Sequence, residues 1–217
     1  MHEGMRGLRA GLPAFVILKQ EKYMEIRTFL NFLGIAEKLK CNTRHSYTTS
    51  GRPESVAEHS WRLALMAYLL KDEFPETDIS KVIVMGLIHD LGEAVTGDIP
   101  AFEKTEADEA VEQDAVERLL QSLPASDRKE MKALFEEMDA LETREAKLYK
   151  ALDKLEALIQ HNEADLATWL PLEFDLQMTY GTEECRFSEY MTKLRDAVRE
   201  DSRKKAAGRP NRLSGLH

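Results

Sequence analysis

The chain has 217 residues, of which 43% are hydrophobic and 32% are charged. This is enough apolar material for a sizeable core, so the composition excludes wholesale disorder and fits one domain with ragged ends. The formal net charge is −9, which argues against a broad surface for nucleic acid or for an anionic membrane. An anionic substrate would have to be met by a few local cations in a pocket.

The cysteines and the N-terminus indicate the compartment. Cys41 and Cys185 lie far apart without CxxC spacing, which favours a reducing cytoplasm over a disulfide scaffold. No apolar run is long enough to span a bilayer. Arg6 and Arg9 precede an apolar stretch, but charged residues follow it directly without a small-residue cleavage site, which argues against a signal peptide. We expect residues 1–23 to be a loosely ordered extension.

The apolar spacing predicts helices along most of the chain. The predicted helices cover residues 24–40, 55–70, 80–91, 105–120, 126–138, 143–162 and 183–199. Residues 41–54 interrupt the helical pattern with Asn, Thr, Ser, Gly and Pro and are predicted to form a loop. The segment 80–91 is apolar nearly all round, which is typical of a helix buried at the centre of a bundle.

One helix start and the domain limits can be predicted from local signals. Ser55 and Glu58 have the spacing of a capping box, in which each side chain bonds the backbone of the other. Residues 201–217 are basic and contain Gly and Pro, so we expect a frayed tail. Without repeats or βαβ alternation, the sequence predicts an all-α domain over residues 24–200.

Two histidines and two aspartates carry the chemistry of this sequence. His59, His89, Asp90 and Asp153 fall on three separate predicted helices, where a core-facing residue should be apolar. A lone histidine in a helix is more often structural, so the combination is the signal. Imidazole nitrogen and carboxylate oxygen suit a divalent metal ion, and burying two carboxylates without a cation would be costly.

Three segments resemble a known family. They are SVAEHSW, LIHDLGEAVTGDIPAFEK and ALDKLEAL, and they resemble the HD superfamily of metal-dependent phosphohydrolases, more closely its 5′-deoxynucleotidase-like branch. The resemblance runs from about residue 26 to 195 and implies an HD-domain helical bundle. It also implies that His59, His89, Asp90 and Asp153 bind one divalent metal ion, with Mn, Co, Zn, Fe and Mg as candidates.

The resemblance also implies roles for residues around the metal ligands. Glu93 and Asp98 match acidic residues implicated in water activation and proton transfer. Arg44 and Arg52 match arginines that precede the first metal histidine, and at least Arg44 is expected to meet the substrate phosphate. The chain departs from the branch at His45, where characterised nucleotidases tend to have Trp, so the sugar preference is left open.

Physical chemistry supports the same roles. A bound metal ion would polarise a phosphoryl oxygen and lower the pKa of a water molecule. Glu93, three residues after Asp90, could accept the proton of that water as a general base. Asp98 could protonate the leaving alkoxide or orient the water. A guanidinium from Arg44 or Arg52 offers planar, bidentate recognition of phosphate.

Each of these residues also has a structural interpretation. Glu93 could be a solvated residue at a helix end, and Asp98 could brace its turn through a side-chain hydrogen bond. Arg52 could pair only with Glu54 or Glu58.

Four further residues are interpreted structurally. We interpret Trp61 and Trp169 as packing residues and His161 as a surface or packed residue. For Lys154 we prefer an outward orientation over a phosphate contact.

No histidine lies between His89 and His161, the interval in which dinuclear HD phosphodiesterases have further histidine ligands. This absence favours a mononuclear site and disfavours a cyclic-dinucleotide phosphodiesterase. The sequence therefore predicts a phosphohydrolase acting on 5′-(deoxy)nucleoside monophosphates. Another HD activity, as pyrophosphohydrolase or phosphodiesterase, remains an alternative, as does a non-catalytic nucleotide-binding module. Family resemblance makes a homodimer possible.

Overall fold

The computed structural model describes residues 24–208, so the predicted extension 1–23 and the last part of the predicted tail lie outside the described residues. The helices are α1 (Ile26–Ala36), α2 (Val56–Leu69), α3 (Ile79–Ile88), α4 (Glu93–Thr96), α5 (Glu106–Gln121), α6 (Ala125–Ala140), α7 (Arg144–Glu163), α8 (Glu173–Thr179), α9 (Thr182–Cys185) and α10 (Glu189–Ala207). Short 3-10 turns cover Glu37–Lys40 and Leu166–Thr168. The predicted helical bundle is confirmed.

A small hairpin replaces the loop predicted over residues 41–54. Strands β1 (Thr43–Tyr47) and β2 (Pro53–Ser55) pair antiparallel, with Thr43 opposite Ser55 and Tyr47 opposite Pro53. Gly51 has φ 84°, a value that glycine adopts without strain, and closes the turn between the strands. The prediction of a loop was wrong because the turn-forming residues of this segment obscure the pattern of two very short strands.

Helices α2, α3 and α7 form the centre of the core. Leu63, Met85 and Leu152 come from these three helices and are fully buried. Gly86 lets α2 and α3 approach closely, because a Cβ there would lie 2.3 Å from Leu63 Cδ2. This close approach brings the polar residues of the two helices to one cleft.

The capping box predicted at the start of α2 is confirmed. The Glu58 N–H donates to Ser55 Oγ at 3.2 Å, and the Ser55 N–H donates to Glu58 Oε2 at 2.9 Å. The cap fixes where α2 begins and therefore which face of its first turn points inward. His59 lies on that inward face and is fully buried.

Other predicted features of the helices needed correction. Helix α3 ends at Ile88, and Val84 and Leu87 are exposed, so its apolar surface is buried on one side only. Trp61 is 61% exposed and is not a packing residue, whereas Trp169 is buried as predicted.

The C-terminal helix continues beyond the predicted domain end at residue 200. Helix α10 runs to Ala207, and the buried Ser202 hydroxyl lies 2.8 Å from Asn162 Oδ1 and 3.0 Å from Gln177 Oε1. The predicted helix over 183–199 is divided into α9 and α10 by residues 186–188. Among the described residues, no helix has the length and apolar character to cross a membrane.

Candidate metal centre and substrate cleft

The four predicted metal ligands converge at the centre of the bundle. His59 comes from α2, His89 and Asp90 from the turn after α3, and Asp153 from α7. His59 Nε2 lies 3.3 Å from Asp153 Oδ1, and His89 Nε2 lies 3.1 Å from Asp90 Oδ2 and 3.8 Å from Asp153 Oδ1. The two imidazole ring centroids are 5.3 Å apart.

This donor set fits a divalent cation. The Nε2 atoms of His59 and His89 are buried and have no hydrogen-bond partner among the described residues. Ligand atoms of His59, His89 and Asp90 all lie within 4.8 Å of one another. Buried polar atoms normally have partners, so two unpartnered nitrogens facing two carboxylates are what a metal ion would complete.

A hydrogen bond at Nδ1 orients each of the two imidazoles. His59 Nδ1 donates to the buried carboxylate of Glu156, and His89 Nδ1 lies 3.0 Å from the Gly86 carbonyl oxygen, to which it donates. Such partners fix the tautomer that leaves Nε2 free as a ligand. Glu156 was not predicted from the sequence, although it lies three residues after Asp153 and therefore on the same face of α7.

The electrostatics make the centre anionic. Burial raises the pKa of the Asp153 carboxyl, but Lys150 at 2.9 Å and the two histidines hold it well below its usual range. Burial and the charge of Arg44 lower the pKa of His59, but the nearby carboxylates of Asp153 and Glu156 outweigh them and raise it to about 9. A metal ion would compete with this proton for the same lone pair.

Arg44 enters the cleft beside the ligands. Its guanidinium lies 3.8 Å from Asp90 Oδ2 and 3.7 Å from Glu54 Oε2, and both separations leave donors free for another acceptor. Burial acts against its charge, but Asp90 and the neighbouring carboxylates raise the pKa of Arg44 above its usual value. The buried Glu54, which lies just before the capping serine, was considered in the sequence only as a partner for Arg52.

Arg52 is placed differently from Arg44. Its guanidinium donates two hydrogen bonds to the Glu58 carboxylate, at 2.9 and 2.5 Å, and its side chain is 57% exposed. Arg52 is absent from the residues that line the cleft. The structure therefore matches the structural interpretation of Arg52 and does not bring it to the metal ligands.

Glu93 and Asp98 both line the cleft with Arg44 and Asp90. Glu93 begins α4, is only 5% exposed, and has a buried Oε2 without a hydrogen-bond partner, so it is not a solvated residue. Burial and the charges of Asp90, Asp98 and Glu112 raise its pKa to about 9. Burial also raises the pKa of Asp98.

The cleft has a volume of about 910 Å³ and leads into a smaller pocket of about 180 Å³. Arg44, Asp98 and Tyr180 line both cavities. Lys154 also lines the cleft, where its Nζ donates to the Tyr180 hydroxyl at 2.7 Å, so the outward orientation preferred for it was wrong. The predicted metal ligands thus open on a space that can take an anionic group and a less polar extension.

Comparison with known proteins places this site in a family. The HD domain family model matches residues 36–195. The chain is 35% identical to the human protein named 5′-deoxynucleotidase HDDC2 over 141 residues, which cover 63% of this chain and 68% of that protein. It is 32% identical to the Danio rerio protein of the same name over 185 residues, covering 82% of this chain and 90% of that protein.

Solved structures of other proteins have a similar fold. A crystal structure described as a predicted metal-dependent phosphohydrolase from Magnetospirillum magnetotacticum MS-1 has a TM-score of 0.71 and 30% identity, covering 85% of this chain and 95% of that one. A conserved hypothetical protein from Pyrococcus furiosus has a TM-score of 0.61 and 31% identity, covering 80% of this chain and 99% of that one. The chain belongs to the HD-domain family, and it is a hydrolase that uses a divalent metal ion.

Proposed function

We propose that the chain removes the 5′-phosphate from (deoxy)nucleoside monophosphates and releases the nucleoside and inorganic phosphate. The observation that carries the proposal is the pair of unpartnered imidazole nitrogens facing Asp90 and Asp153, in a cleft that also holds Arg44. The names of the human and Danio rerio relatives support the substrate class.

His59, His89, Asp90 and Asp153 would hold the metal ion. When bound, the ion supplies Lewis acidity toward a phosphoryl oxygen and lowers the pKa of a water molecule. Arg44 would bind the phosphate, because its part-buried guanidinium has only long contacts to carboxylates. The pairing with Glu58 makes Arg52 the weaker candidate for this role.

Glu93 and Asp98 would move the protons. As water attacks phosphorus, Glu93 accepts its proton, and as the bond from phosphorus to the 5′-oxygen breaks, Asp98 gives a proton to that oxygen. The raised pKa of Asp98 favours a protonated acid in this position. Burial and the charge of Asp90 both raise the pKa of Glu93, so a cation held by Asp90 would lower that pKa toward the range in which Glu93 acts as a base.

Phosphate release from a panel of nucleoside monophosphates tests the proposal. The protein is stripped with a chelator and then supplied with Mn, Co, Zn, Fe or Mg. Asp90→Asn is compared with Asp72→Asn, which removes the charge of an exposed side chain that does not line the cleft. We expect metal-dependent release that Asp90→Asn abolishes and Asp72→Asn keeps.

Other outcomes would favour other functions. Turnover of a diester or pyrophosphate but of no monoester would favour the phosphodiesterase or pyrophosphohydrolase activity. Metal-dependent nucleotide binding without product would favour a binding module.

We further propose that the chain forms a homodimer through an apolar face of α2 and α3. Every exposed position of α2 is apolar, and Val84 and Leu87 extend the same character onto α3. The exposed residues of α2 are Trp61, Leu65, Tyr68 and Leu69. An apolar face that a two-fold axis can use twice suits a second copy of the chain.

Sedimentation equilibrium tests this arrangement. The double variant Trp61→Glu with Leu69→Glu should be a monomer, and Val111→Glu, which adds one charge to exposed α5, should remain a dimer. A wild-type chain that sediments as a monomer would contradict the proposal.

The free thiols of Cys41 and Cys185 support the expected reducing cytoplasm. The expectation of no nucleic-acid partner continues to rest on the net charge of −9.

A further inference from the structure

A second buried polar cluster lies in the smaller pocket, and the phosphate chemistry does not use it. Glu173, in the first turn of α8, is 5% exposed. Its Oε1 lies 3.3 Å from His45 Nε2, and its Oε2 lies 3.2 Å from His161 Nε2. Oε2 also accepts a hydrogen bond from the Leu170 N–H at 2.5 Å. One carboxylate is thus shared by two imidazoles and a backbone amide.

Each histidine is held by an aromatic neighbour. The His45 ring packs edge-on against Phe102 with centroids 5.8 Å apart, and the His161 ring packs on Trp169 at 4.9 Å. The Trp169 indole N–H donates to the His161 carbonyl oxygen at 3.0 Å, which fixes this pair further. The cluster is therefore rigid, as a site that reads one group of a ligand must be.

The cluster has hydrogen-bonding capacity to spare. The Nε2 atoms of His45 and His161 are buried and lack a well-aligned hydrogen bond among the described residues. The side chains of Glu173 and His161 are 7% and 8% exposed, and both line the pocket. The contacts from both imidazoles to Glu173 are therefore loose, which leaves its carboxylate able to accept a hydrogen bond from a ligand in this pocket.

The pocket itself limits what the ligand can be. Its volume is about 180 Å³, and Phe102, Leu158 and Leu176 supply apolar walls. Arg44 and His45 are consecutive residues of β1 and both line it, so a ligand with its phosphate at Arg44 has its adjoining part near His45. In a nucleoside 5′-monophosphate that adjoining part is the sugar ring.

We propose that Glu173, held between His45 and His161, accepts a hydrogen bond from a hydroxyl of the substrate's sugar ring and is the specificity-determining residue of this pocket. This inference rests on the proposed nucleotidase function. An ionised carboxylate only accepts hydrogen bonds, so it selects a donor such as a hydroxyl. His161, the Leu170 amide and His45 hold the pKa of Glu173 below its ordinary value against the effect of burial.

Matched substrates test the inference. We would measure kcat/KM for adenosine, 2′-deoxyadenosine and 3′-deoxyadenosine 5′-monophosphates with wild type, Glu173→Gln and Asp175→Asn. Asp175 is an exposed residue of the same helix, so its variant controls for loss of one negative charge. We expect loss of the recognised hydroxyl to lower wild-type kcat/KM about tenfold or more. Glu173→Gln should bring the substrates within about threefold of one another, and Asp175→Asn should keep the wild-type ratio.

The 2′-deoxy and 3′-deoxy substrates show which hydroxyl is read. Equal losses on all three substrates in Glu173→Gln would overturn the inference, because a structural role lowers every rate alike. A wild-type enzyme indifferent to both hydroxyls would also overturn it. If Glu173→Gln does not fold by circular dichroism, His45→Gln replaces it, and the ratio should again shrink.

Failure of the proposed function can be told apart from failure of this inference. If wild type releases phosphate from no nucleotide, calorimetric binding of adenosine and its two deoxy analogues replaces the rates. Tighter wild-type binding of the nucleosides that carry the recognised hydroxyl, lost in Glu173→Gln, would support the sugar contact alone. No difference in binding would overturn it.

Discussion

The two polar clusters along the cleft are built from similar residues in opposite proportions. On the metal side, His59 and His89 face four carboxylates, namely Glu54, Asp90, Asp153 and Glu156. On the pocket side, His45 and His161 share the single carboxylate of Glu173. An excess of carboxylate needs a cation to be stable, whereas one carboxylate between two imidazoles needs only a neutral donor.

The largest effect should follow removal of a metal ligand. Asp153→Asn keeps the shape of the side chain but loses the charge that faces both imidazoles, so we expect activity and metal affinity to fall more than 100-fold. Chelator competition measures the affinity. Nucleoside binding, which depends on the pocket side, should be kept. An affinity within about twofold of wild type would contradict the assignment of Asp153 as a ligand.

Glu156→Gln tests whether the metal side depends on the carboxylate behind His59. The variant keeps an acceptor but removes the charge, so we expect metal affinity to fall about 10- to 100-fold. Glu163→Gln is a matched control on the same helix, because Glu163 pairs with Arg62 at the surface. Equal affinities of the two variants would show that Glu156 is only a packing residue.

The metal side was predictable from the sequence because its ligands break local patterns. His59, His89 and Asp153 are polar residues at core-facing positions of helices, and Asp90 adjoins one of them. Glu156 shares a face of α7 with Asp153, but its contact with His59 depends on the packing of α2 against α7, which the sequence does not show.

The pocket side depends on contacts between distant segments and was not predicted. β1 supplies His45, α7 supplies His161 and α8 supplies Glu173, so the cluster exists only after these segments meet. The hairpin was missed because its turn residues outweigh its short strands. The basic composition after residue 200 likewise concealed the buried Ser202.

Gly86→Ala should damage the metal side through packing. The new methyl group would meet Leu63 at the closest point between α2 and α3, and overpacking of this kind costs about 1–3 kcal/mol of unfolding free energy. His89 donates to the Gly86 carbonyl oxygen, so metal affinity should fall as well.

Gly34→Ala is the matched control for Gly86→Ala. A Cβ at Gly34 meets nothing within 4 Å, so the unfolding free energy of the variant should rise by about 0.4–1 kcal/mol. Denaturant unfolding measures both variants, and equal stabilities would show that the helices separate without cost.

The smallest effect is expected for substitution of Arg52. This effect distinguishes Arg52 from Arg44, the other arginine predicted to bind phosphate. If Arg52 only pairs with Glu58, Arg52→Ala should change kcat/KM by less than about threefold, as surface substitutions usually do. Arg44→Ala should instead raise KM strongly, since its part-buried guanidinium lies 3.8 Å from Asp90 Oδ2. A comparable rise in KM in Arg52→Ala would show that Arg52 leaves Glu58 to bind the phosphate.

The pH dependence of stability gives an independent check on Arg52. Hydrogen bonds from Arg52 and from the Ser55 backbone lower the pKa of Glu58 to about 2 from its ordinary value of 4.5. A depressed pKa in the folded state stabilises the protein above pH 4.5, and this stabilisation is lost as the pH falls toward 2. The difference in melting temperature between wild type and Arg52→Ala should therefore be small at pH 7 and should shrink further between pH 4.5 and 2. A difference that grows on acidification would show that Arg52 stabilises the fold through a group other than Glu58.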